Sequence, residues 1–152
     1  MSFDLTTILD NISQGESFLQ YFQLNNQQLN IDFNDKIISW STRSGTSLII
    51  FLNIDSNNLT STLDFNINNS SSSIPKLFFI DQNGSNIGEV PFQTGQQSIN
   101  ISDYVSNTIA YDEINFKITE TSNSINGTAI SLNGFQFNKD GTAPIPTPTS
   151  TP

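Results

Sequence analysis

Short stretches in which apolar and polar residues alternate recur along this chain, and they constrain its fold more than any other feature. In residues 59–67 the odd positions carry Leu, Ser, Leu, Phe and Ile, whereas the even positions carry Thr, Thr, Asp and Asn. A period of two places successive side chains on opposite faces of a β-strand. Turn-forming residues interrupt the pattern at intervals typical of sandwiches and jelly rolls. We therefore predict an all-β fold, an antiparallel β-sandwich of jelly-roll type, with about nine or ten strands.

The N-terminal segment has a different period. Apolar residues in 3–12 recur at helical spacing, behind Ser2 or Asp4 as a possible cap, and Gly15 follows as a helix terminator. From Glu16 the period becomes two, which predicts a strand over residues 16–24. We predict three parts: an N-terminal helical segment packed on the domain over residues 1–15, the sandwich over 16–140, and a Pro/Thr-rich linker or tail over 141–152.

Two local departures from simple alternation carry further predictions. Residues 47–54 are apolar at nearly every position, which is typical of a central strand or of a strand covered by the helix. In residues 128–138 the apolar parity switches at Asn133-Gly134, which predicts a β-bulge or kink at that point. Turns are predicted at 43–45, 81–84 and 123–127.

The composition excludes several classes of function. The chain has neither Cys nor His, which removes disulfides, zinc-thiolate sites and every mechanism that depends on a histidine base. Its net charge is −9 and its five basic residues are scattered. Binding to nucleic acid or to an anionic membrane surface is therefore not expected. Only 12% of the residues are charged, so Asn, Gln, Ser and Thr must supply most of the polar surface.

The sequence predicts no enzymatic activity. The close acidic pairs are Asp112-Glu113 and Asp32/Asp35. Neighbouring residues on a strand point to opposite faces, so Asp112 and Glu113 cannot serve one cleft as glycosidase carboxylates do.

The first residues lack the basic and apolar regions of a signal peptide, and no segment is apolar enough to insert in a membrane. The neutral polar composition is nevertheless common in extracellular proteins, so we expect an extracellular or cell-surface location.

Residues 16–138 resemble the jelly-roll carbohydrate-binding modules and their galactose-binding-like relatives. The first stretch that carries the resemblance is 98–105 (SINISDYV), which looks like the strand and turn that these domains place before a long core strand, here 111–120. The second is 130–137 (ISLNGFQF), which looks like their closing strand. The resemblance implies a β-sandwich that binds carbohydrate.

The resemblance also implies a structural calcium ion between the first strand and the closing strand. Glu16 and Asn133 would then be oxygen ligands, with Asp140 or Asp4 nearby. Asn133 stands where these relatives often have Asp, which removes one negative charge from such a site. Calcium takes six to eight oxygen ligands, so backbone carbonyls would have to complete the set.

Exposed aromatic residues are the candidates for contact with a sugar. They are Tyr111, Trp40 and Tyr104, with Tyr21 as a further possibility. Trp40 shares its parity with Ile38, so a position in the core is the alternative for it. Tyr111 begins a strand at the rim of the domain and is the strongest of the candidates.

Two functions remain open at this stage. The first is a non-catalytic extracellular module that binds carbohydrate or a surface glycan and is joined to a larger protein by the Pro/Thr linker. The second is a structural or assembly subunit of an extracellular fibre, surface layer, adhesin or virion, which would bind other copies of itself. Sparse charge and unpaired strand edges favour contacts between copies.

Overall fold

The computed structural model describes residues 2–25, 29–41, 47–69, 75–119 and 129–140. Within these ranges the chain forms one α-helix, three short 3-10 helices and eleven β-strands. The helix and strands are β1 (Phe3–Asp4), α1 (Leu5–Ser13), β2 (Phe22–Leu24), β3 (Asn30–Asp32), β4 (Ile37–Ser41), β5 (Ser47–Ile54), β6 (Thr62–Asn69), β7 (Lys76–Ile80), β8 (Asn86–Val90), β9 (Gly95–Asn100), β10 (Ile114–Thr119) and β11 (Ala129–Asn138). The 3-10 helices are Phe18–Gln20, Ser56–Asn58 and Ile101–Asp103.

The strands form two antiparallel sheets. The six-stranded sheet has the order β3-β4-β11-β6-β9, and β1 also pairs with β11. The five-stranded sheet has the order β2-β5-β10-β7-β8. This arrangement confirms the predicted β-sandwich. The short β1, which lies within the segment predicted to be helical, brings the number of strands above the predicted nine or ten.

The core lies between the inner faces of the two sheets. Phe116 of β10 is fully buried, and its ring centroid lies 5.5 Å from that of Phe65 on the opposite sheet and 5.3 Å from that of Phe79. The alternation seen in the sequence supplies this face, because every second residue of each strand points inward. Such aromatic pairs add to the free energy gained by burying the rings.

Helix α1 closes one side of the sandwich. Asp4 caps it, since its Oδ1 accepts a hydrogen bond from Thr7 N at 2.7 Å, and this confirms one of the two predicted caps. Leu5, Ile8 and Leu9 are buried in the core. At the other end, Lys36 Nζ lies 2.7 Å from Asp10 Oδ1 and ties the helix to the start of β4.

The double-sided apolar pattern of β5 reflects its position next to β10 in the five-stranded sheet. Leu48, Ile50 and Leu52 are buried on the inner face. Ile49 and Phe51 face outward and are half-buried. The outer face of this sheet is therefore partly apolar, which matters for the site described below.

The predicted irregularity at Asn133-Gly134 is confirmed. The pairing of β11 with β6 shifts register between Asn133 and Gln136. Gly134 has a φ of 61°, in the left-handed region that glycine adopts without steric cost. The bulge explains why the apolar residues change parity along one continuous strand.

The predicted strand over 16–24 is correct only in its last residues. Phe18–Gln20 form a 3-10 helix instead, in which Ser17 Oγ accepts a hydrogen bond from Leu19 N. Only Phe22–Leu24 pair with β5. The serine cap competes with strand pairing for the backbone N–H groups of this segment.

Several predictions lie outside the described residues. They are the turns at 43–45 and 123–127 and the tail from 141 onward. No helix of the described ranges is both long and apolar enough to cross a membrane.

Candidate ligand-binding site

A pocket of about 500 Å³ opens between α1 and the last residues of β5. It exists because β2 is short and pairs only with the part of β5 that ends at Ile50. Beyond this point Phe51 N donates a hydrogen bond to Tyr21 O at 2.9 Å, and the chain before Tyr21 turns away as a 3-10 helix. The pocket is lined by Ser2, Phe3, Thr7, Ile8, Asn11, Gln20, Tyr21, Phe51, Leu52, Asn53 and Lys139.

Aromatic rings form part of the pocket wall. Tyr21 and Phe51 are both half-buried, which leaves part of each ring open to a ligand. Phe3 also lines the pocket, and its ring centroid lies 5.3 Å from that of Phe137. The lining of the pocket thus combines aromatic rings with the aliphatic side chains of Ile8 and Leu52.

The polar groups of the pocket are almost all neutral. Asn11, Gln20 and Asn53 contribute amides, and Ser2 and Thr7 contribute hydroxyl-bearing side chains. Lys139 is the single charged residue of the lining. Pockets of this kind bind through apolar walls and are made selective by a few oriented polar groups.

Tyr21 is held in place by a neighbouring carboxylate. Its hydroxyl donates a hydrogen bond to Glu16 Oε1. This bond, followed by burial and by the charge of Glu16, raises the pKa of Tyr21 above its ordinary value of 10.0, while a hydrogen bond with Asn11 acts in the opposite direction. The tyrosine is therefore neutral at physiological pH, and its hydroxyl is fixed to one side of the pocket.

An irregularity in the five-stranded sheet shapes the floor of the pocket. The pairing of β10 with β5 shifts register between Ile114 and Phe116. At this point Asn115 Oδ1 accepts hydrogen bonds from Leu52 N at 2.8 Å and from Asn53 N at 3.1 Å. Its Nδ2 donates to Glu113 Oε2 at 2.6 Å.

The predicted sugar-contacting aromatics lie elsewhere. Trp40 is 1% exposed, because its side chain points into the core from β4. Its ring therefore offers no face to a ligand. Trp40 is a core residue, which was the alternative that the sequence left open. Tyr104 is half-buried in the turn that follows the third 3-10 helix. Tyr111 is also half-buried, and its backbone N–H donates to Ser56 Oγ at 2.7 Å. Among the described residues, the only ring contact that a tyrosine makes is that of Tyr21 with Phe22. Tyr104 and Tyr111 therefore do not combine into one aromatic surface for a sugar.

The predicted calcium ligands have different neighbours. Glu16 contacts Tyr21. Asn133 pairs with Ile37 and Asn66 across the six-stranded sheet, and its Oδ1 is buried without a hydrogen-bond partner. Asp140 N donates to Ser61 Oγ at 2.8 Å beyond the end of β11. No group of three or more acidic residues within the described ranges is close enough to hold a metal ion.

Several carboxylates are occupied by backbone groups. Asp32 Oδ1 accepts from Asn34 N and Asp35 N, both at 3.0 Å, in the turn between β3 and β4. Asp81 Oδ1 accepts from Asn83 N and Ser85 N, both at 2.9 Å, in the predicted hairpin before β8. These acidic side chains stabilise turns, as Asp commonly does.

The position of Phe51 within its strand indicates that its side chain faces outward, but this is hard to recognise because nearly every residue of the strand is apolar. Phe51 has the outward parity of residues 47–54, opposite to that of Leu48 and Leu52. Gln20 and Asn11 carry no comparable signal, because their place in the pocket depends on how distant segments come together. The pocket thus joins residues from both ends of the described chain.

Comparison with known proteins identifies the fold. No protein-family model matches the sequence, and no curated protein matches it. Among solved structures, a carbohydrate-binding module of the CBM4 type has a TM-score of 0.54 and 11% identity over 82% of this chain and 100% of that one. The CBM22-1 xylan-binding domain of Xyn10C from Paenibacillus barcinonensis has a TM-score of 0.50 and 12% identity over 91% and 92%.

The fold also occurs within a larger enzyme. An arabinose-bound α-L-arabinofuranosidase matches with a TM-score of 0.52 and 16% identity over 80% of this chain, but this chain spans only 23% of that one. These likenesses show a shared β-sandwich fold. They confirm, at the level of fold, the resemblance to carbohydrate-binding modules that residues 98–105 and 130–137 indicated.

Proposed function

We propose that this domain is a non-catalytic carbohydrate-binding module that acts outside the cell and is joined to another domain through its Pro/Thr-rich segment. The observation that carries the proposal is the pocket in which Tyr21 and Phe51 present half-buried rings beside neutral amides. The fold shared with the CBM4 module and the xylan-binding CBM22-1 domain supports it.

The chemistry of the pocket matches that of a sugar. The C–H face of a pyranose or furanose ring is apolar and packs against an aromatic ring, whereas its hydroxyls need donors and acceptors of hydrogen bonds. Tyr21 and Phe51 supply the first kind of contact, and Asn11 and Gln20 supply the second. A buried hydroxyl that finds no partner costs free energy, so the amides select for ligands that satisfy them.

A role in binding rather than hydrolysis also fits the acidic residues. A glycosidase needs two carboxylates on opposite sides of one cleft. The lining of the pocket contains no Asp or Glu, and Glu16 beside it accepts a hydrogen bond from Tyr21. The domain would therefore hold a polysaccharide while a catalytic domain elsewhere in the protein acts on it.

The test is a titration of the folded domain against oligosaccharides of xylose, glucose, mannose and arabinose, followed by calorimetry. Tyr21→Ala should weaken binding by about tenfold or more, because it removes both ring contact and the fixed hydroxyl. Tyr111→Ala serves as the matched control, and it should bind as tightly as the wild type. A domain that binds none of these sugars would overturn the proposed function. Loss of binding in Tyr111→Ala alone would move the site to the rim that the sequence favoured.

Self-association is the second candidate function, and one observation favours it. Phe33 and Ile109 are 40% and 52% exposed, away from the pocket lining. Light scattering at high protein concentration separates the candidates. A monomer that binds sugar supports the module, and a polymer that ignores sugar supports the structural subunit.

We also propose that calcium stabilises the sandwich, as the resemblance implies for Glu16, Asn133 and Asp140. Adding calcium to chelator-treated protein should raise its melting temperature, and Asn133→Ala should reduce the rise. An unchanged melting temperature in wild-type protein would rule this out.

A further inference from the structure

Backbone conformation singles out one residue of the pocket. A positive φ is costly for residues with a Cβ, and this chain mostly uses glycine where it needs one, at Gly15, Gly84, Gly95 and Gly134. Among the described residues, only Lys36 and Asn53 have a positive φ without being glycine. Each of them therefore keeps a side chain where glycine would be easier to accommodate.

The two exceptions have different settings. Lys36 has a φ of 59° in the turn before β4, and its Nζ pairs with Asp10, so its side chain has a structural use. Asn53 has a φ of 53° inside β5, one residue before the strand ends. Its side chain is exposed and Asn53 lines the pocket. Left-handed backbone inside a strand is a kind of strain that collects at functional sites.

Asn115 imposes this conformation. Successive N–H groups of a strand point to opposite edges, and Phe51 N accordingly points towards Tyr21. Leu52 N and Asn53 N nevertheless both donate to the same atom, Asn115 Oδ1. The N–H of Asn53 is therefore turned away from the edge where the pocket lies, and it is not available to a ligand.

Glu113 fixes which way the Asn115 amide faces. Asn115 is 3% exposed, and its Nδ2 donates to Glu113 Oε2 at 2.6 Å. Because this end of the amide is held as the donor, the oxygen end must face β5. The chain of contacts thus runs from Glu113 through Asn115 to the backbone of Asn53.

We propose that Asn53 is a specificity-determining contact for the ligand of this pocket, and that Asn115, oriented by Glu113, is the positioning residue that presents it. The inference rests on the proposed function. It assigns to Asn53 the recognition of a sugar hydroxyl, and it assigns to Asn115 and Glu113 a role that requires no direct contact with the sugar.

Asn53→Gly tests the contact. Glycine adopts the left-handed conformation freely, so the variant should melt at or above the wild-type temperature. It lacks the amide, so its affinity for the oligosaccharide that the wild type binds best should fall by about fivefold to tenfold. Asn83→Gly, at an exposed turn outside the pocket, is the control and should bind as the wild type does.

The positioning pair allows a rescue experiment. Asn115→Asp keeps the oxygen that faces β5 but puts a carboxylate against Glu113, so affinity should fall together with stability. Adding Glu113→Gln restores a donor opposite that carboxylate, and the double variant should recover affinity for the sugar. Glu113→Gln alone should weaken binding less than Asn115→Asp does.

The outcomes separate this inference from the proposed function. If the wild type binds no oligosaccharide, both fail. If the wild type binds and Asn53→Gly binds equally well, the inference fails while the proposed function stands. If the double variant regains stability but not affinity, Asn115 is a structural residue only.

Discussion

The outer faces of the two sheets differ although the same kind of alternation builds both. One row of neighbouring residues across the six-stranded sheet is Asp32, Ile37, Asn133, Asn66 and Gln96. A comparable row across the five-stranded sheet is Gln23, Ile49, Lys117, Phe78 and Glu89. The first row is mainly amides, whereas the second places apolar residues on either side of a lysine.

The polar side chains of the six-stranded face bond with each other. Asn66 Nδ2 donates to Gln96 Oε1 at 2.9 Å, and Ser98 Oγ donates to Asp64 Oδ1. Cross-strand pairs of this kind stabilise a sheet but leave fewer groups for a ligand. On the five-stranded side, the polar groups of the pocket surround open space. Polar side chains thus remain open to solvent in a pocket where the strands stop pairing, whereas they bond with each other where pairing continues.

The largest expected effect is on the free energy of unfolding, when an asparagine of each sheet is replaced by alanine. Asn115→Ala leaves the N–H groups of Leu52 and Asn53 without their acceptor in a buried site, and it should lower the free energy of unfolding by about 3 kcal/mol. Asn66→Ala removes one exposed hydrogen bond and should cost less than about 1 kcal/mol. Urea denaturation measures both. Equal losses would mean that the two sheets use their amides alike.

The next effect concerns ligand affinity. Phe51→Ala removes an aromatic wall of the pocket and should weaken binding of the preferred oligosaccharide about tenfold. Phe33→Ala removes a more exposed ring that follows β3 of the six-stranded sheet, and it should leave the affinity unchanged. Calorimetric titration compares them. A larger loss in Phe33→Ala would place the ligand on the other sheet.

A smaller effect, on the free energy of unfolding, is expected for Asn133 of the six-stranded sheet, whose side-chain oxygen has no hydrogen-bond partner. Asn133 Oδ1 is the buried side-chain atom within the described ranges that lacks a partner. In the presence of a chelator, Asn133→Val should raise the free energy of unfolding by about 1 kcal/mol, because it removes an unpaired polar atom and adds a residue that favours strands. A fall in stability, measured by urea denaturation, would show that this oxygen is engaged in a contact that stabilises the fold.

The smallest effect is the dependence of stability on high pH. The pKa of Tyr21 is raised in the folded state by Glu16, so the folded protein holds this proton more tightly than the unfolded chain does. The resulting stability is complete below the unfolded pKa and is lost as the pH rises above about 10. Tyr21→Phe should flatten this part of the profile in thermal melts between neutral and alkaline pH. A profile unchanged by the substitution would contradict the assigned hydrogen bond.

Local patterns were sufficient to predict most of the sandwich. The apolar run over residues 47–54 predicts β5 with its observed bounds, and the parity switch predicts the bulge at Gly134, because both depend only on the local pattern of apolar residues. The segment at Phe18 was misassigned, since an alternating pattern does not exclude a 3-10 helix capped by Ser17.

The residues of the pocket were harder to predict from the sequence than the strands were. The bond between Leu52 N and Asn115 Oδ1 joins residues 63 positions apart, and no local pattern reports such a pair. Trp40 was a reasonable candidate by residue type, but its type could not distinguish a ligand platform from a core position. Pockets formed by several segments need the tertiary fold before their members can be recognised.

The meeting of the two ends of the described chain has a practical consequence. Lys139 N donates to Ser2 Oγ at 2.9 Å, and both residues belong to the pocket lining. A tag joined directly to Ser2 is therefore attached beside the pocket, where it competes for space with a bulky polymer. A purification tag is best cut away before affinities are compared. A circular permutant that links these ends and opens the hairpin at Gly84 would carry its fusion partner on a different part of the surface.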